Sequence, residues 1–433
     1  MARRREPSQG SANSSSSSSS GSRNLYVRAD LHPIYGPKRR RSVPIVQILI
    51  VALVVAAVAG AGAYALLGRN GGSGGKQPAA KSSTESSSTA ALKDLPAPGT
   101  SGAAATAKKP ASQPGVRPTV SIAAVGDICF MDSNHNSLGA AEDLLSSMKP
   151  QLSEADLALG NLEVALTDSG AAQDKTYTFR APLSSAGGMA RSGIDVVSVA
   201  NNHALDYGRS QLSAELDALH QAGLTAAGGG LNKQQATSPQ TVNRKGARIG
   251  VLAFSEITPA EFAATDTQPG VAYTQDSAAM TAAVAAAKAS KKYDYLIVIM
   301  HWGVEGDYQN NKRQTDEGHA LIDAGADAVI GSHPHRLQGV EHYKNGLIAY
   351  SLGNFVFGTS ALQSRQTMLL NFQLTDTGVQ AVTAQPIYIM KSGKPVLADG
   401  ADWDKIAEII KSSSAACGTA VTFDNNIATF NKK

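Results

Sequence analysis

The chain has 433 residues, 42% of them hydrophobic and 17% charged, with a formal net charge of +4. That composition excludes wholesale disorder. Two cysteines exclude a disulfide-built scaffold and a cysteine-based zinc module, and 5% aromatic residues argue against a base-stacking nucleic-acid platform.

The net charge conceals three regions. Residues 1–42 hold nine Lys/Arg against two Asp/Glu, residues 43–118 seven against two, and residues 119–433 twenty-three against thirty-one. The basic excess therefore belongs to the N-terminal quarter. The acidic remainder speaks against nucleic acid as a partner.

Residues 1–42 carry a serine run, Ser14 to Ser20, and no hydrophobic periodicity; they are expected to be a disordered basic cytoplasmic tail. Residues 43–67 contain no charge over 25 positions. As a helix that is roughly 37 Å, enough to cross a hydrocarbon core of about 30 Å. A cleaved signal peptide fits poorly, because the preceding region is too long. Lys38, Arg39, Arg40 and Arg41 abut the run on its N-terminal side, and only Arg69 and Lys76 follow closely. The positive-inside rule then predicts a single-pass protein of the cell membrane, N-terminus cytoplasmic and C-terminal bulk extracellular, with the lipid bilayer as a partner. Residues 68–118 are rich in Gly, Ser, Ala, Thr, Pro and Lys and are expected to form a flexible stalk.

From residue 119 short apolar runs alternate with amphipathic stretches. Strands are predicted over 119–125, 157–159, 196–200, 248–254, 295–300, 328–330, 347–350, 368–374 and 380–388. Helices are predicted over 138–148, 210–222, 277–289, 315–324 and 403–411. The early strands are continuously apolar, as in a sheet covered on both faces, which predicts an α/β domain over 119–390. Residues 391–433 are expected to pack on it as a C-terminal extension.

Polar residues stand at the C-terminal ends of these apolar runs, where open α/β sheets place their sites. They are Gly126-Asp127, Gly160-Asn161-Leu162-Glu163, Asn201-Asn202-His203 with Asp206, His301 through Glu305, Gly331-Ser332-His333-Pro334-His335 and Ser351 through Phe355. Any one of these has an ordinary structural explanation as a cap, a turn or a core histidine. Together carboxylate, amide and imidazole form a ligand set for one or two divalent ions such as Zn, Mn or Fe.

His333 and His335 are two apart. In an extended chain they would point to opposite sides, one toward each ion of a pair. A carboxylate such as Glu163 would bridge, and His203 would stabilise developing charge or protonate a leaving group. Glu305 and Arg336 are candidates for substrate contacts. His135, His220, His319 and His342 are isolated and expected to serve packing or surface roles. Cys129 and Cys417 would both face an oxidising exterior; the sequence leaves open whether they pair.

The segments AAVGDICF, GNLEVALT, VSVANNHALDYG, IVIMHWGVEG, VIGSHPHRLQGVE and IAYSLGNFVF, in this order, resemble the CapA family of bacterial capsule synthesis or PgsA-like proteins. That family looks like a branch of the calcineurin-like metallophosphoesterases. The resemblance implies a two-sheet sandwich flanked by helices. It also implies a membrane-anchored role in synthesis or export of poly-γ-glutamate or a similar anionic polymer, beside the subunits of a membrane-bound synthase. Carried over residue by residue, it implies metal-site positions at Asp127, Asn202, His301, His333 and His335 and a match of His203 to the family's Asn-His pair; Asp127 and His203 are the expected catalytic residues. Glu163 is the expected bridging ligand from its place at a strand end, and Asn161, Glu305, Arg336 and Asn354 are candidates for substrate contacts on the same ground. Two positions depart from the metallophosphoesterase pattern: Cys129 stands where a histidine is usual, and Asn161 where an aspartate is usual. A metal-dependent phosphoesterase and a non-catalytic scaffold or polymer-binding subunit are the alternatives.

Overall fold

Continuous apolar runs such as Leu296–Met300 require cover on both faces, and two sheets packed face to face with helices outside provide it. The structure is a computed structural model that describes residues 117–432. The expected tail and membrane span, and the stalk up to residue 116, lie outside the described residues. Among the described residues no helix is long and apolar enough to cross a membrane. The last stalk positions are already part of the domain. Arg117 donates to the Asp294 carbonyl at 2.6 Å and lies over the Tyr295 ring, and Tyr295 Oη donates to the Pro118 carbonyl at 2.9 Å.

The chain first lays down β1 (Val120–Asp132), β2 (Leu157–Leu162), β3 (Val196–Ser198) and β4 (Thr225–Ala227), all mutually parallel, in one sheet. It then builds a second sheet from β5 (Gln240–Arg244), β6 (Ala247–Ser255), β7 (Tyr295–His301), β8 (Ala328–Ser332), β9 (Val340–Tyr343) and β10 (Gly346–Ala349). It returns to the first sheet with β11 (Asn354–Gly358), β12 (Gln366–Thr375), β13 (Gly378–Ile389), β14 (Pro395–Leu397), β15 (Ala420–Asp424) and β16 (Ile427–Asn431). The first sheet runs β15-β16-β13-β12-β1-β2-β3-β4, with β11 also on β1 and β14 on β13; the second runs β9-β10-β8-β7-β6-β5. Mixed α/β architecture with two principal sheets is the result.

Ile122, Leu159, Ile297, Ile330 and Leu370 meet between the sheets in one buried cluster. The outer face of the first sheet is covered partly by α1 (Leu212–Gln221). The outer face of the second is covered by α2 (Ser277–Ala289) and α3 (Lys312–Asp323). A capping box at Asn311 and Gln314 starts α3 three residues earlier than the apolar pattern indicates. The helix expected over 138–148 is instead two short ones, Ala141–Leu145 and Lys149–Glu154. Pro150, which has no N–H to continue a helix, falls at the start of the second.

β1 runs seven residues past its predicted end. Its first half pairs with β12, and from Asp127 onward β11 takes that flank. The exchange requires Gly126, because a Cβ there would lie 1.9 Å from the Gly353 carbonyl oxygen. Residues 391–433 supply β14, α4 (Gly400–Ala416) and the hairpin β15–β16, and the hairpin extends the first sheet by pairing with β13 at Thr383 and Ala384. Its turn holds Asn425 and Asn426 at φ of 46° and 65°. That is the geometry of a type I′ hairpin, for which asparagine is suited.

Candidate metal centre

The strand ends converge where the two sheets abut. Asp127 on β1 is fully buried, and so is Glu163 just past β2. His301 ends β7, and His333 and His335 follow β8. The donor atoms form two groups, each within 4.8 Å: Glu163, His301 and His333; and Asp127, Glu163 and His335. Glu163 belongs to both.

The two histidines of the His-Pro-His loop reach different groups, but not by extended geometry. His333 has φ 94° and His335 φ 52°, both left-handed. The opposite-sides expectation for an extended chain is therefore corrected: the separation comes from a strained turn around Pro334, which leaves the ring centroids 6.1 Å apart. Strain of this kind persists only where the surroundings over-determine it.

Within these groups two buried atoms, Glu163 Oε1 and His333 Nδ1, make no hydrogen bond among the described residues; His335 Nε2 stands 3.6 Å from that Glu163 oxygen. Burial, followed by the charge of Asp127, pushes the Glu163 carboxyl well above its ordinary range. Burial, followed by the neighbouring histidines, pushes His301 and His333 well below theirs. They are thus neutral imidazoles at pH 7, with lone pairs available to a metal. Burial opposes the charged form of His335 too. There the hydrogen bond and charge of Asp127, whose Oδ2 is 3.4 Å from Nδ1, prevail and hold it above the ordinary value.

His301 Nδ1 lies 2.9 Å from the Ser332 hydroxyl, which donates to the Met300 carbonyl at 3.1 Å, and 3.4 Å from Asn161 Nδ2; its Nε2 lies 2.8 Å from Asn202 Oδ1 and 3.9 Å from Glu163 Oε1. The tautomer with its proton on Nδ1 offers the Nε2 lone pair beside those oxygens. Facing acceptors and orphaned donor atoms fit a divalent cation.

Asn161 sits among these ligands as a strut. Its Nδ2 donates to Asp127 Oδ1 at 2.9 Å and Glu163 Oε2 at 3.3 Å, while its Oδ1 accepts from Asn201 Nδ2 at 3.1 Å. Asn354 is spent within the chain as well. Its Oδ1 accepts from His335 Nδ1 at 2.8 Å and its Nδ2 donates to the Ser364 carbonyl at 2.8 Å. Cys129 belongs to neither ligand group. The pairing register of β1 shifts between Asp127 and Ile128, and Cys129 is buried in the apolar cluster beneath the outer helices. Burial raises its thiol well above the usual range. Both cysteines are free. Glu305 and Arg336 stand at the rim, half-buried.

His203 is held by Asp206, whose Oδ2 lies 2.6 Å from Nδ1. Burial outweighs that carboxylate and keeps the imidazole below its usual value. Lys175 was missed from sequence. Its ammonium bonds both the Asp206 carboxylate and the Asn202 carbonyl, bracing two motif residues at once. It comes from an irregular loop, and no periodicity or motif singles out a lone lysine there. The isolated histidines have local partners: His319 bonds Glu341 at 2.9 Å and stacks on Tyr343, His135 lies 2.9 Å from the Thr178 carbonyl, and His342 lies 3.1 Å from the Phe430 carbonyl.

A family model described as bacterial capsule synthesis protein PGA_cap matches residues 121–359, a segment that contains every ligand of both groups. The chain belongs to the PGA_cap family. It is 34% identical over 256 residues to the capsule biosynthesis protein CapA of Bacillus anthracis, covering 58% of this chain and 62% of that protein. It is 32% identical over 254 residues to the PGA biosynthesis protein CapA of Bacillus subtilis strain 168, covering 58% and 66%. The chain thus spans less than two thirds of the length of either relative. Among solved structures it is similar to the 5'-nucleotidase of Candida albicans SC5314, with a TM-score of 0.38, 10% identity and coverage of 69% of this chain and 58% of that one. The matched segment runs from β1 through β11, and α4 and the β15–β16 hairpin lie beyond it.

Proposed function

We propose that this PGA_cap protein takes part in synthesis or export of a poly-γ-glutamate-type capsule polymer at the outer face of the cell membrane, using a divalent-metal centre. The single observation that carries the metal reading is Glu163, a buried carboxylate shared by two donor groups, one oxygen of which accepts no hydrogen bond among the described residues and faces the ring nitrogens of His335 and His301 at 3.6 and 3.9 Å. The polymer reading is supported by the family and by the names of its CapA relatives.

Asp127, Glu163 and His335 would hold one ion and Glu163, His301 and His333 another, with Asn202 beside His301. When bound, such ions polarise an acyl or phosphoryl oxygen and lower the pKa of a coordinated water to about 7. The chain's own residues do the rest. Asp206, fixed by Lys175, accepts from His203 Nδ1 and so leaves Nε2 to hold or deliver a proton at a leaving group. Ser332 and Asn354 fix the rings of His301 and His335.

Residues 43–67 are proposed as the anchor and the acidic domain as its extracellular part, in contact with the subunits of a membrane-bound polymer synthase. Two experiments test this. In a deletion strain, wild-type chain is expected to restore surface polymer and a His335→Ala chain is not; equal restoration leaves only a scaffold role. Protease added to intact cells is expected to remove the C-terminal domain and spare the N-terminal tail, and a protected domain reverses the topology. A metal-dependent phosphoesterase is the second reading, favoured by the mixed carboxylate and imidazole donor set. Aryl phosphate turnover lost in His301→Ala and His335→Ala would support it.

A further inference from the structure

We propose that Arg336 is a carboxylate-binding subsite at the rim of the metal centre, and that the groove beside it receives the next units of a γ-glutamyl chain. This rests on the polymer reading above and supplies its substrate contact.

Arg336 follows His335 directly and is half-buried. Its Nη1 donates to the His335 carbonyl at 2.8 Å and to the Ser364 hydroxyl. Both acceptors are neutral, and among the described residues no carboxylate forms an ion pair with it. Glu305 is the nearby acid whose charge it feels, from beyond ion-pair distance. A half-buried guanidinium held in place by neutral groups keeps donors for an incoming anion, and a carboxylate matches its fork.

The Tyr308 ring lies 5.8 Å from the Arg336 Cζ, and Tyr308 also lines a groove of about 550 Å³. Gln363 and Gln366 form another part of the lining, on the same turn whose Ser364 grips Arg336. Their side-chain amides can donate to and accept from the amides of a polyamide backbone. The wall contributed by α4 carries Lys405 between Asp404 and Glu408, so a chain carboxylate in the groove can pair with Lys405 while another is held at the Arg336 end. Gln363, Gln366 and α4 all lie beyond the family-matched segment. Arg336 therefore lies inside the matched segment, next to His335, while the groove wall formed by Gln363, Gln366 and α4 lies beyond it.

The test uses the full chain in detergent, loaded with Mn²⁺, and calorimetric titration with a γ-glutamyl hexamer, a γ-glutamyl dimer, the neutral γ-glutaminyl hexamer and inorganic phosphate. Arg336→Gln is expected to weaken hexamer and dimer at least about tenfold, with Arg336→Lys recovering part of the loss. The neutral hexamer is expected to bind weakly to both wild type and variants. Gln363→Trp, which fills the groove, is expected to weaken the hexamer and spare the dimer. Bound Mn equal to wild type in every variant shows that the centre is intact. Hexamer binding unchanged in Arg336→Gln overturns the subsite and leaves the polymer reading standing. Arg336→Gln losing only phosphate affinity overturns it in favour of a phosphate seat. No binding of any glutamyl probe by Mn-loaded wild type overturns both.

Discussion

Two of the domain's clusters of buried acidic side chains are neutralised differently. At the end of β6, Glu256 meets Glu317 of α3, and Arg313 lies across both: its Nη2 is 2.8 Å from Glu256 and its Nε 3.0 Å from Glu317. The Ser277 hydroxyl donates to Glu317 as well. Burial and the neighbouring Glu317 push the Glu256 carboxyl up to about 8, so it keeps its proton at neutral pH. At the strand ends, Asp127 and Glu163 have no guanidinium or ammonium paired with them among the described residues; their neighbours are the Asn161 amide, the neutral imidazole of His301, and His335, 3.4 Å from Asp127 and 3.6 Å from Glu163, whose charged form Asp127 favours. The first cluster carries its own cation and locks a helix to a strand. The second has only His335 to offset its two carboxylates and keeps buried donor atoms that an ion could engage. A backbone hydrogen bond from Glu256 N to the His301 carbonyl, 3.0 Å, joins the two.

The sharpest way to break this contrast is Glu163→Gln. Removing the shared ligand is expected to lower metal affinity at least about 100-fold, more than loss of an outer-shell partner would. In the metal-free chain the same substitution is expected to leave thermal stability unchanged or raise it, because a buried carboxylate without a counter-ion is unfavourable. Elemental analysis and a melting curve read both. A metal-free Glu163→Gln chain that melts well below wild type means the carboxylate is structural, and the contrast fails.

Arg313→Met should do the opposite. Two buried acids lose their cation, and the expected loss is about 1–3 kcal/mol, less than for a fully buried pair because Arg313 is half exposed. Metal content should not change. Denaturant unfolding with metal analysis checks this, and loss of metal would merge the two clusters into one.

The pH dependence separates them further. Glu256 titrates at about 8 in the folded chain and near 4.3 when unfolded. The folded state therefore binds more protons across that window, and stability falls as pH rises from about 4.3 to about 8. Glu163 adds a slope of the same sign in the metal-free chain, so the difference between wild type and Glu256→Gln is the readout. The variant's melting temperature is expected to be flatter over that window; identical slopes would remove the raised carboxyl from the account. The smallest effect is expected at exposed His220 on α1, where His220→Ala should stay within about 0.5 kcal/mol.

Much of this architecture was legible in the chain. Apolar runs located most of the principal strands of both sheets, and the polar residues at their ends located all five members of the two donor groups, with Asn202 beside them. What escaped has identifiable causes. β5, β9 and β11 are short, and each pairs with a neighbour that a single sequence does not name. The β15–β16 hairpin had a usable signal in Asp424-Asn425-Asn426, a turn sequence between alternating residues, and it was passed over beside the stronger helical pattern of α4. The length of β1 depended on a crossing partner at Gly353. Lys175 bears on the site only because a loop folds back to Asp206, and Asn354 and Asn161 turned out to be spent on holding ligands.

By itself the amino-acid sequence determined the donor types, their places at strand ends and the family, because side-chain chemistry and hydrophobic period are local properties. The tertiary structure decided which donors lie together, that Glu163 stands in both groups, and that Cys129 is in neither. Those outcomes depend on strand register, a bulge and two left-handed histidines, which are settled only when segments far apart in the chain pack against one another.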